Sequence, residues 1–435
     1  MIPTVVALLM ALNMWSGTFN VSTGTVGTTW SVTGLGFTPK VILFYWNGRT
    51  ATGTVSAASH QQGVGYAVST SDRGNVTSQS LNGNTNMGAD SMVSDDSCIK
   101  VLVNTLTSPP GLAGAADLQS MDADGFTLKV TTQFSAGILV GYLALGGSDV
   151  TNVASQTVTG PATATTQNVT GYGFQPDVVF FFVCSNNAVN TSSTSSRFGF
   201  GVATAATQYI LSGSSFDNVG TSVTCTYCRA GECIAEAVNN ATIAQASCTG
   251  FGSDGFSLSW SKVGSSGSVV RALAIKGPSF FAGDFMTSTT VNAQIPETGF
   301  GFAPVSVLVA SHNHTSASSA GTTQATDQRS VGSASSNSGR NVFSVLDANA
   351  AAVGAVSTGA ATFGVYQNAQ GSGAVDMQTW DSNGLTFYQR NSDNFANFAW
   401  FLAVGPAPPP AAVSYPGWEA FGPAVKFDPP DVLPY

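Results

Sequence analysis

Gly34-Leu35-Gly36-Phe37-Thr38-Pro39, continuing after Lys40 into Val41-Ile42-Leu43-Phe44-Tyr45-Trp46, carries the architecture of this chain. Paired glycines supply the backbone freedom of a tight turn. Proline at the opening of a strand gives up an N–H where its loss does little harm. The block therefore reads as a turn feeding a core strand. It returns as Gly171-Tyr172-Gly173-Phe174-Gln175-Pro176 before Val178-Val179-Phe180-Phe181-Phe182-Val183, and again as Gly299-Phe300-Gly301-Phe302-Ala303-Pro304 before Val305 to Val309. The spacing is roughly 130 residues, a period that marks a repeated structural unit.

Two further markers follow each block in the same order. The first is Asp124-Gly125-Phe126-Thr127-Leu128, matched by Asp254-Gly255-Phe256-Ser257-Leu258 and Asn383-Gly384-Leu385-Thr386-Phe387. Asp-Gly or Asn-Gly ahead of alternating apolar and polar residues is the strongest short-range hairpin signal. The second is Leu143-Ala144-Leu145-Gly146, matched by Leu273-Ala274-Ile275-Lys276-Gly277 and Leu402-Ala403-Val404-Gly405, a closing core strand. Long amphipathic helical patterns are absent. The expectation is an all-β chain of three tandem β-sandwich or jelly-roll-like repeats, at 16–148, 149–278 and 279–406. A unit of this size buries enough surface to be stable alone, and the tight links favour a compact or rod-like stack.

Composition excludes several functions. Charged residues make up 9% of the 435, and 14 Lys+Arg against 23 Asp+Glu leave a net charge of −9. Nucleic-acid binding needs a basic surface that these cations cannot build. A polybasic membrane patch fails for the same reason.

The two ends differ from the repeats. Ile2 to Trp15 is apolar, with no preceding Lys or Arg, and is shorter than the about 20 residues of a membrane span. Val5, Val6, Leu8, Leu9, Met10, Leu12 and Trp15 call for burial, on the first repeat or as an anchor (residues 1–15) on a neighbouring subunit; an uncleaved signal is the third alternative. From residue 407 the chain is rich in proline, with Trp418, Phe421, Phe427 and Tyr435 interleaved, which reads as an extended interaction arm.

Chemistry is sparse. There is no nucleophile elbow, metalloprotease helix or phosphate-binding loop, and no cofactor is implied. His312-Asn313-His314 has a chelating spacing, set against two polar histidines in a surface loop. Asp72, Asp95, Asp96, Asp122 and Asp124 cluster in sequence, either as turn formers or as a carboxylate pair for glycoside hydrolysis. Cys225, Cys228, Cys233 and Cys248 offer four soft ligands of the kind zinc takes. Disulfides and buried thiols are the alternatives, the latter because Cys98-Ile99 and Cys233-Ile234 occupy similar places in their units.

The three Gly-x-Gly-Phe-x-Pro blocks with their Asp/Asn-Gly hairpins resemble β-sandwich modules of tailed-bacteriophage tail, fibre and capsid-decoration proteins. The resemblance implies a non-enzymatic virion component, homo-oligomeric or part of a large assembly, whose partners are other capsid or tail subunits. It carries over no catalytic residue. The alternative is a carbohydrate-binding adhesin, extracellular or at a cell surface, that engages a host glycan. Tyr66, Trp260, Trp380 and Tyr388 are then its aromatic candidates, against a core or cross-strand role.

Overall fold

The computed structural model describes residues 12–408, except 107–109, 185, 239–240, 265–267, 314, 316–322, 337 and 370–372. The chain is all-β, with no helix among the described residues. Each repeat contributes one large sheet and one four-stranded sheet, and the two pack face to face. In the first repeat the large sheet runs Asn13–Val21, Ile138–Gly146, Pro39–Trp46, His60–Ala67, Arg73–Ser80, Ala89–Ser94. The small sheet runs Thr29–Thr33, Gly125–Thr132, Leu112–Asp122, Ile99–Leu102. The strand order is two antiparallel meanders joined by crossings, repeated in the other two copies. It matches the sandwich half of the expectation.

The three sequence markers meet in space. The Asp124 carboxylate accepts hydrogen bonds from the Gly34 and Gly36 N–H groups at 2.9 and 2.5 Å. Asp254 accepts from Gly171 and Gly173 at 2.9 and 2.6 Å. In the third copy the Asn383 side-chain oxygen accepts from Gly301 at 2.6 Å, and its backbone carbonyl from Gly299. The six glycines have φ between 74° and 96°, which residues with a Cβ rarely adopt. The turn thereby drives Leu35, Tyr172 and Phe300 into their sandwich cores.

Residues along each apolar run alternate between two cores. Ile42, Phe44 and Trp46 face the small sheet of the first repeat, with Phe126, Leu128 and Val140. Val41, Leu43 and Tyr45 face the other way, into a cluster shared with Val178, Phe180 and Phe182 of the second repeat and Leu308, Trp400 and Leu402 of the third. A strand buried on both faces reads as a continuous apolar run. The large sheets of all three repeats thus pack against one another around a common core.

Edge strands close the arrangement. Ser192–Thr194 of the second repeat pairs with Ala89–Ser94 of the first. Thr323–Gln324 of the third pairs with Thr224–Ala230 of the second. Gly53–Ala57 of the first pairs with Val356–Ala361 of the third. Each copy completes the seventh position of a neighbour's sheet, and the cycle returns on itself. The chain is a ring of three.

Two expectations need correction. The 1–15 anchor ends inside a strand, because Asn13, Met14 and Trp15 pair with Gly146, Leu145 and Ala144. Nor do the repeats form a rod: of the compact and rod-like stacks expected, the compact one is found, because one face of each large sheet lies in the shared core.

Candidate functional site

With so few charged residues, the positions of the buried ones are informative, and several of them lie where repeats meet. Arg271 is the buried cation of the strand Val269–Lys276 and reaches into the first repeat. Its guanidinium donates to the Tyr66 hydroxyl from Nε and Nη2 at 3.0 and 2.7 Å, and to the Arg73 carbonyl at 3.2 Å. Within its own repeat it donates to Ser155 and Thr157. Asp72 accepts from the Ser155 N–H at 3.0 Å and from its hydroxyl. Burial lifts the Tyr66 phenol to about 12 even with Arg271 opposing it, so it stays a neutral donor and acceptor.

The junction of the second and third repeats holds a fully buried ion pair, Arg329 Nε to Asp327 Oδ1 at 2.9 Å. The guanidinium lies over the Phe198 ring at 4.8 Å, and Asp327 sits against Gly213, where a Cβ would collide with its carboxylate. Beside it, Asp347 receives a hydrogen bond from Ser215 of the second repeat and lies 3.3 Å from His60 Nε2 of the first. Burial pushes the Asp347 carboxyl up, but His60, Ser215 and Arg329 together overcome this and hold it below its ordinary value. All three repeats therefore meet at one carboxylate. The order of groups is wrong for nucleophilic catalysis, since serine and histidine both address the aspartate and all three are shut from solvent.

The first and third repeats join through Ser16, Tyr45, Ser333 and Asn341, linked by hydrogen bonds of 2.6–3.0 Å. One aromatic pair seals each joint: Tyr45 with Phe343, Tyr66 with Phe182, and Phe200 with Trp400, at centroid distances of 5.6, 4.9 and 5.5 Å.

The residues singled out from the sequence fall as follows. Leu12 is buried in the shared core, and Trp15 packs half-buried on the core of the first repeat, so both are taken up within the chain. Val5, Val6, Leu8, Leu9, Met10, Trp418, Phe421, Phe427 and Tyr435 lie outside the described residues. Cys225 and Cys228 share a strand but point into opposite cores, so the two cannot close on one ion with Cys233 and Cys248. All six cysteines are free thiols, and Cys98 and Cys233 place their Sγ atoms against equivalent carbonyls, Ala116 and Ala246. Among the described residues no group of three or more His, Cys, Asp or Glu is arranged to hold a metal.

His312 corrects the surface-loop reading: it ends the strand Ser306–His312, is buried, and stacks on Phe398. His314 lies outside the described residues. The five aspartates disperse into separate structural roles: Asp95 bonds Asn190 of the second repeat, Asp96 pairs with Lys100, and Asp122 accepts from Ser120 and Thr127. Tyr66 and Trp260 are buried, Trp380 packs on the core of the third repeat, and Tyr388 bonds Asp376.

Sequence reasoning passed over Arg271, Asp327, Arg329 and Asp347. The available signal was charge inside a strand: an arginine within Val269-Val270-Arg271-Ala272-Leu273 has to find polar partners beyond its own sheet.

The described chain begins, crosses between repeats and leaves at one end of the ring. Asn13 pairs with Gly146, Asn152 with Lys276 and Ser279 with Gly405, so each opening strand starts where a closing strand stops. Ala407 N–H donates to Asp149 of the first link at 2.8 Å. A cleft of about 660 Å³ opens here between the second and third repeats, lined by Pro176, Phe251, Pro278, Phe280, Phe302 and Pro408. No helix among the described residues is long and apolar enough to cross a membrane. No family model, no curated protein and no solved structure matches this chain.

Proposed function

We propose that this chain is a non-enzymatic structural component of a large particle, a bacteriophage virion, as a capsid-decoration or tail- or fibre-associated protein. The observation that carries the reading is the cyclic exchange of edge strands among three copies around one core. It makes a single polypeptide with the closed architecture of a trimer, in which the donated strands cover sheet edges otherwise open to pairing. The buried polar groups support the same reading, because hydrogen bonds of Arg271, Asp347 and Tyr45 tie repeat to repeat. The segments that would hold the particle, residues 1–11 and 409–435, both join the body at one end, leaving the opposite end for display. The partners are other capsid or tail subunits.

The test is localisation with antibody fragments against the ring, applied to purified virions of the source phage. Bound fragments at fixed sites on the particle are expected, and a chain lacking 1–11 and 409–435 should remain folded but fail to assemble. Full-length chain found only free of particles overturns the proposal.

A further inference from the structure

One pocket is bordered by a loop whose sequence differs among the three copies. The third repeat reaches its closing strand through Ser392-Asp393-Asn394-Phe395-Ala396-Asn397, where the first uses Gln133-Phe134-Ser135-Ala136-Gly137. The second begins this connection Val263-Gly264. The amide-rich loop borders a cavity of about 250 Å³ whose wall includes Gln328, Asn368, Asp393, Asn394 and Asn397. Phe395 stands at its rim, 67% exposed. It is the most exposed large apolar side chain among the described residues, and the only aromatic among the exposed ones.

We infer that this pocket binds a neutral saccharide. A sugar presents hydroxyls that both donate and accept, and a C–H face that packs on an aromatic ring. Side-chain amides are the matching groups, since each offers an acceptor oxygen and two donor hydrogens. The wall is held in place before any ligand arrives. Asp393 accepts from Thr287 at 2.7 Å and from Asn368 at 2.6 Å, and Asn397 donates to the Tyr366 hydroxyl at 3.1 Å. Among the described residues no cation lines the cavity, and its carboxylate is already engaged, so an acidic ligand would find no counter-charge among them. Leaving Phe395 in water is unfavourable unless something covers it, and a few fixed polar groups beside one apolar face is how small-ligand sites achieve orientation. This inference does not depend on the particle reading.

The full-length chain, titrated calorimetrically with maltotriose, cellotriose, chitotriose and lactose, should bind at least one of them saturably. Sialyllactose should bind no more tightly than lactose. Phe395→Ala and Asn394→Ala replace exposed side chains and should leave circular dichroism unchanged while weakening the preferred sugar roughly ten-fold or more, about 1.4 kcal/mol. Phe395→Trp should retain binding, and Val353→Ala, at another exposed apolar position, should have no effect. The inference is overturned if none of the four neutral sugars binds, or if binding survives both alanine substitutions undiminished.

Discussion

Asp124 and Asp254 do by charge what Asn383 does without it, and the difference is measurable. Hydrogen bonds from Gly36 and then Gly34 hold the Asp124 carboxyl below its ordinary value of 3.8, and those from Gly173 and Gly171 do the same for Asp254. A group whose folded-state value is lowered contributes stability above its unfolded value and loses it as pH falls through the folded one. Acidification below about 3.8 should therefore release the Gly36 and Gly173 amides to hydrogen exchange, while Gly301, bonded to an amide oxygen, keeps its protection. Asp124→Asn should make Gly36 behave like Gly301; if all three amides respond alike to acid, the carboxylates are not what holds these turns. The residue types and spacing of these turns are legible in the sequence. That the Asp of one marker caps the glycines of another, about 90 residues away, needs the sandwich to bring them together.

At the scale of the strand, the six-residue apolar runs told more than their core assignment suggested. Half-buried antiparallel strands alternate apolar and polar residues, so an unbroken run such as Val178 to Val183 already points to burial on both faces. The second covering layer is the neighbouring repeat. The donated strands were hidden for the opposite reason: Gly53–Ala57, Ser192–Thr194 and Thr323–Gln324 are short and share no residue pattern, because their pairing rests on backbone groups every residue possesses. Arg271 is the single side chain that most clearly belongs to a junction instead of a repeat. Arg271→Met should remove charge-assisted hydrogen bonds and leave the Tyr66 hydroxyl poorly satisfied, costing about 2–3 kcal/mol in urea denaturation. Tyr66→Phe should couple to it in a double-mutant cycle; additive losses would mean the two do not act as one joint.

For the whole molecule, a shared core makes folding collective. The cluster containing Leu43, Phe180, Phe182, Phe343 and Trp400 exists only when all three repeats are present. The intact chain should unfold in one calorimetric transition, with calorimetric and van't Hoff enthalpies in agreement. A two-repeat fragment of residues 12–278 should expose that core, lose the edge partner from Thr323–Gln324, and bind a hydrophobic dye or aggregate. A fragment that stays monomeric and as stable as the full chain would refute the ring as the unit of folding. What the sequence determined by itself was local: turns that favour glycine, hairpins set by Asp-Gly and Asn-Gly, and three copies of one apolar strand pattern. Ring closure was decided by tertiary structure alone, because contacts among copies come from which faces remain uncovered once each sandwich has formed. The pocket beside Phe395 belongs to that level too, since Gln328, Asn368 and Asn397 come from separate strands and loops that only the folded third repeat brings to one cavity.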